Sequence, residues 1–95
     1  MILNYHIKGG DFVNAGKASS DVKRVLKQLN VSPGLIKRVV VALYESEVNV
    51  VAHARDGEIE AVIESEWIRV TVSDRGLGIE YLDLAMKEGF STASK

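Results

Sequence analysis

Residues 41–54 read VALYESEVNVVAHA, and the reading of this stretch decides the fold. Leu43, Val50 and the alanines continue a three- and four-residue apolar spacing that begins at Leu35, Ile36, Val39 and Val40. The spacing predicts one helix over residues 33–54, apolar around much of its circumference and therefore central and well buried. The β-branched run Val39-Val40-Val41 favours a strand locally. The continued spacing through Val50 outweighs it, as does the start signal Ser32-Pro33, a capping hydroxyl followed by a proline suited to the first helical position.

Three polar residues interrupt this helix. Glu45, Asn49 and His53 lie four apart and so share one face, with Ala42 and Ala52 leaving room beside it. Asparagine is a mediocre residue in mid-helix, because its side chain competes for backbone hydrogen bonds. Two readings are open. The face is the solvent side, with Tyr44 and Glu47 outside as well. Alternatively it lines a ligand cleft, in which Glu45 orients or deprotonates a nucleophile and Asn49 offers a neutral oxygen to a hard cation such as Mg²⁺. His53 carries less weight, since a histidine at a helix end commonly meets the last carbonyls.

Working outward, ILNYHIK at residues 2–8 is rich in strand formers and stops at Gly9-Gly10. Ala15, Ala18, Val22, Val25, Leu26 and Leu29 form one stripe, predicting a helix over residues 14–29 that ends at Asn30, which tolerates the left-handed conformation. Past the central helix, Asp56-Gly57 marks a turn. Ile59, Ala61 and Ile63, then Ile68, Val70 and Val72, alternate as two strands joined through Ser65-Glu66. They form a hairpin with Glu60, Glu64, Arg69 and Thr71 largely outside. Residues 74–78 form a glycine-punctuated loop. Leu82, Ala85 and Met86 predict a last short helix over residues 80–88, stopped by Gly89. The order predicts an α+β fold, a two-layer sandwich with helices on one face of an antiparallel sheet.

Composition narrows the function classes. The 95 residues suit one domain, nearly half are apolar and a quarter are charged. The longest wholly apolar run, residues 39–43, is far too short to cross a bilayer, and no leader opens the chain, so a cytoplasmic protein is expected, with no membrane partner. Without cysteine there is neither a disulfide framework nor a thiolate metal site. A net charge of -1 supplies no broad positive field for nucleic acid, and Lys23, Arg24 and Lys27 read as a solvated helix face.

A second anomaly follows the hairpin. SDRGLGI at residues 73–79 places Asp74 at a strand end and Gly76 and Gly78 just after it. The glycines permit close backbone approach to a ligand, and Asp74 can accept from an exocyclic amine. Alone this is an ordinary turn. It is neither a dinucleotide-binding fingerprint nor a P-loop.

Together, Glu45-x-x-x-Asn49-x-x-x-His53 on a helix and Asp74-x-Gly76-x-Gly78 after a strand resemble the asparagine box and first glycine box of the Bergerat-fold (GHKL) ATPases. This superfamily includes gyrase, heat-shock chaperones, histidine kinases and mismatch-repair proteins. The wording of residues 42–54 is most similar to the anti-sigma-factor serine/threonine kinases. The resemblance implies that Asn49 ligates the Mg²⁺ bridging ATP phosphates and that Glu45 is the general base. It implies that Asp74 accepts the adenine amino group and that Gly76 and Gly78 run beneath the nucleotide, with His53 a secondary nucleotide contact. Ser91 and Thr92 fall where the family's lid begins. The implied partners are ATP, an anti-anti-sigma antagonist protein that is phosphorylated, and a sigma factor that is sequestered. A non-catalytic nucleotide-responsive module and the catalytic fragment of a sensor histidine kinase remain alternatives. The family's second glycine-rich box, later helix and closing strand have no counterpart before Lys95. The expectation is therefore a domain incomplete at its C-terminus, impaired in phosphoryl transfer, with an open sheet edge that favours a homo-oligomer.

Overall fold

The computed structural model describes residues 1–74 and, as backbone, residues 78–85. Among them the order is β1 (Ile2–Lys8), α1 (Lys17–Gln28), α2 (Pro33–His53), β2 (Asp56–Ile63), β3 (Trp67–Asp74) and β4 (Gly78–Ala85). The strands pair antiparallel in the order β1-β2-β3-β4, so the two helices bridge neighbouring strands and lie across one face of the sheet. This is the expected α+β two-layer sandwich.

The alternation read from sequence sets which face the helices cover. Ile59, Ala61 and Ile63 of β2 and Ile68, Val70 and Val72 of β3 are buried beneath Val22, Leu26, Leu35, Val39, Leu43 and Val50 of the helices. Glu60, Glu64 and Arg69 are exposed as expected, and Thr71 is half-buried. On the outer face His6 and Glu58, directly opposite in the β1–β2 register, meet at 3.0 Å.

Helix α1 starts three residues later than its apolar stripe suggests. The carboxylate of Asp11 accepts from the backbone N–H and side-chain amide of Asn14, which holds that segment in a turn. Gly16 then adopts φ 99° at the N-cap. The other end is as read: Asn30 has φ 60°. Its N–H donates to Lys27 O and that of Val31 to Leu26 O, both at 3.1 Å, the paired bonds of a Schellman stop. At α2, Ser32 occupies the N-cap but makes no capping bond through its side chain. The Asp56-Gly57 turn is instead the first rung of β2.

The expected helix over residues 80–88 is corrected where it is described: Gly78–Ala85 is a strand paired along β3. The segment carries both periods, and a short run cannot separate them. The register sets Leu82 against Val70 and Leu84 against Ile68, and pairing satisfies a β3 edge that a helix would leave open. The remainder of that expected helix and its stop, Gly89, lie outside the described residues.

Two further contacts join the layers. The Gly9 N–H donates to Arg55 O at 2.8 Å and the Gly10 N–H to Val51 O at 2.7 Å, so the end of β1 is bonded directly to the end of α2. A Cβ on Gly9 would overlap the Ala54 carbonyl oxygen. Gly9→Ala is therefore expected to cost about 2–3 kcal/mol, because backbone must move to admit the methyl. Urea unfolding checks this, and a loss below about 0.5 kcal/mol contradicts the packing.

The Tyr5 hydroxyl donates to Asp21 at 2.5 Å, and Asp21 also pairs with Arg24 at 2.6 Å, tying β1 to α1. The Tyr5 hydroxyl and the Arg24 guanidinium hold the Asp21 carboxyl below its ordinary range. Burial, then the bond to Asp21, pushes the Tyr5 phenol up. A lowered carboxylate contributes stability above the unfolded value, about 3.9, and loses it as pH falls through the folded one. A raised phenol contributes below about 10 and loses it as pH rises further. Tyr5→Phe is expected to cost about 1 kcal/mol at neutral pH, since the pair is only half-buried and partly screened. Stability measured against pH should also flatten at both ends; an unchanged profile would sink this account.

Candidate functional site

The polar row expected on the central helix is present. Glu45, Asn49 and His53 are all exposed, while Leu43, Glu47, Val50 and Val51 of α2 are buried. The face is thus open among the described residues, and helical geometry alone sets the three side chains in line. His53 is the last residue of α2, followed by an extended Ala54.

Asp74 closes β3 and is half-buried. Its place in the sheet follows from alternation. Ile68, Val70 and Val72 turn toward the helices, so Asp74, two residues on, shares that face. It pairs with Gly57 on one side and Gly78 on the other, so the acid is bracketed by glycines on a single rung. Gly57 in turn lies under α2, where an added Cβ would sit 2.9 Å from Val50 Cγ1. Val50 follows Asn49. Asp74 therefore stands one strand away from the turn of α2 that carries Asn49, on the same side of the sheet. Gly78 is the first residue of β4; Gly76, Ser91 and Thr92 lie outside the described residues.

This arrangement has specific chemical capacity. Asp74 sets a carboxylate acceptor at a strand end between two glycines, with Val50 packed over Gly57 on the same rung. Asn49 and Glu45 offer exposed oxygens, the donor type that Mg²⁺ takes. Among the described residues no three His, Cys, Asp or Glu cluster into a metal site.

Glu47, which the solvent-side reading of this helix sets outside, has a different place. It is fully buried, with 0% exposure, not on a solvent face. Its Oε2 accepts from the N–H of Gly16 at 2.9 Å and of Ala18 at 3.2 Å, and its Oε1 from the N–H of Ser19 at 3.2 Å. It thereby caps α1, which has no acidic residue in its first turn and no side-chain cap at Gly16. Two residues along a helix is about 200°, so Glu47 points away from both Glu45 and Asn49. The buried acid fixes the rotation of α2 that turns the other two outward. Two signals were legible: a charge on the apolar stripe of Leu43 and Val50, and a helix starting at a glycine without a cap of its own.

Among the described residues no helix is long and apolar enough to cross a membrane. A family model described as the histidine kinase-like ATPase domain matches residues 11–92, most of the chain. No curated protein matches it.

Proposed function

Since the chain belongs to the histidine kinase-like ATPase domain family, we propose that it binds Mg-ATP beside the outer face of α2 and acts as an anti-sigma-factor-type serine/threonine kinase module. Asp74 accepts the adenine amino group, and Gly76 and Gly78 pass beneath the nucleotide. Asn49 ligates Mg²⁺, and His53 contacts the nucleotide at the end of the same row. Glu45 serves as general base toward the serine of an antagonist protein, while a sigma factor is held on another surface. The observation that carries the reading is the rung Gly57–Asp74–Gly78 lying under the α2 turn that bears Asn49.

The physical logic is a division of labour. An acceptor fixed in the sheet distinguishes adenine, which has an exocyclic amine donor, from guanine, which presents a carbonyl oxygen at the same position. A neutral oxygen on the helix recruits the metal only when phosphates accompany it. Calorimetric titration with ATP and GTP, with and without Mg²⁺, tests both halves. ATP should bind with Mg²⁺ at least tenfold tighter than GTP, and Asn49→Ala should abolish the Mg²⁺ dependence; the tenfold step is about 1.4 kcal/mol. Equal affinity for the two purines, or indifference to Asn49→Ala, would remove the central argument.

A further inference from the structure

Lys23 and Lys27 are exposed, as the solvated helix face predicts, and they also overlook an open groove of about 770 Å³ between α1 and α2. Lys23 and Lys27 are one turn apart on α1, and Lys37 and Val41 one turn apart on α2. Between these rows lie Ile36 and Val40, also one turn apart. Val41 is 48% exposed, an apolar side chain left at the edge of an apolar floor. No acidic residue lines the groove. Among the described residues no ion pair engages the three lysines. A chain of net charge -1 thus concentrates three positive charges around one apolar trough. The groove also includes Ser32 and Pro33 at the start of α2, where the Ser32 side chain makes no cap, so the helix dipole adds to the positive field.

We infer that this groove docks an acidic amphipathic helix of a partner protein. The occupant places apolar side chains at three- and four-residue spacing on Ile36, Val40 and Val41, and carboxylates on its flanks against Lys23, Lys27 and Lys37. Charge complementarity sets its sign: a basic helix would bring like charges against three lysines. The concave, two-sided shape selects a segment over a membrane surface, which would meet a convex apolar face. The inference does not depend on nucleotide binding, and its test is run without ATP.

The probe is a fluorescein-labelled peptide of about 16 residues, leucine at every third or fourth position and glutamate on the flanks, titrated by anisotropy against the whole chain. A dissociation constant in the tens of micromolar is expected, weakening about tenfold for the Lys27→Glu, Lys37→Glu double variant and on raising salt from about 50 to about 500 mM. Both lysines are exposed, so the variant keeps its fold, which circular dichroism checks. Amide shifts in nuclear magnetic resonance spectra should cluster at residues 23, 27, 36, 37, 40 and 41. The proposal is overturned by no binding at about 1 mM, or by equal binding of the peptide with lysine replacing glutamate. Insensitivity to the double variant overturns it too, as does binding of phosphatidylglycerol vesicles through these lysines in place of the peptide.

Discussion

Glu47→Ala is expected to lower the stability of the protein by about 3 kcal/mol and to expose the first turn of α1 to exchange. The substitution removes the acceptor for three backbone N–H groups while leaving the donors in place. An orphaned buried donor costs about 1–3 kcal/mol, and partial entry of water keeps the total below the simple sum. The truncation also leaves a cavity in the packed interior. For a domain of this size each kcal/mol moves the melting temperature by about 4–8 °C, so a drop of roughly 15 °C is expected. Glu47→Gln separates hydrogen bonding from volume. Its amide oxygen can replace Oε2 toward Gly16 and Ala18, but its NH₂ then faces the donor of Ser19. An intermediate loss, with Ser19 alone strongly deprotected in hydrogen exchange, is the expected pattern. If alanine at this position changes the melting temperature by less than about 3 °C, the capping role is wrong.

Why Glu47 escaped the sequence reading is a question of range. Helical periodicity correctly separated Leu43 and Val50 from Glu45, Asn49 and His53, because that separation is a property of one helix. The partner that makes a buried carboxylate tolerable at position 47 sits about thirty residues earlier, at Gly16 to Ser19, and no local pattern connects them. The Schellman stop at Asn30 and the two middle strands were readable for the opposite reason, since each rests on neighbours within a few residues. Residues 80–85 failed because their local signal is divided between two periods. The decision between them came from the unpaired edge of β3, a tertiary fact. Asp74 was legible as an anomaly, whereas the flanking Gly57 was read as part of a turn. Its place on the same rung depends on strand register, which a sequence fixes only where hairpins are tight. The lysines of α1 show the same limit: their spacing announces an exposed row, and only the apposition of α2 gives that row an apolar neighbour.

The second large effect belongs to Glu45. On the proposed kinase reading, Glu45→Ala reduces phosphoryl transfer by about 10²–10⁴-fold, the usual contribution of a positioned general base, while ATP affinity stays within about twofold. The separation follows from geometry. Glu45 and Asn49 are one helical turn apart on an exposed face, so alanine at 45 removes one carboxylate without touching the metal ligand or the adenine acceptor. Because the side chain is exposed and Glu47 anchors the opposite side of the helix, the fold should be indifferent to the change. Asp74→Ala should behave in the complementary way, erasing the preference for ATP over GTP through loss of the adenine contact. Transfer of labelled γ-phosphate, measured beside calorimetric binding for both variants, distinguishes the outcomes. Loss of transfer with binding intact supports a kinase. Binding with no transfer even in the parent protein assigns the same site to a nucleotide-driven switch, in which Glu45 has no chemical task. Transfer that survives Glu45→Ala at the parental rate excludes this carboxylate as the base and would require the proton to leave by another group.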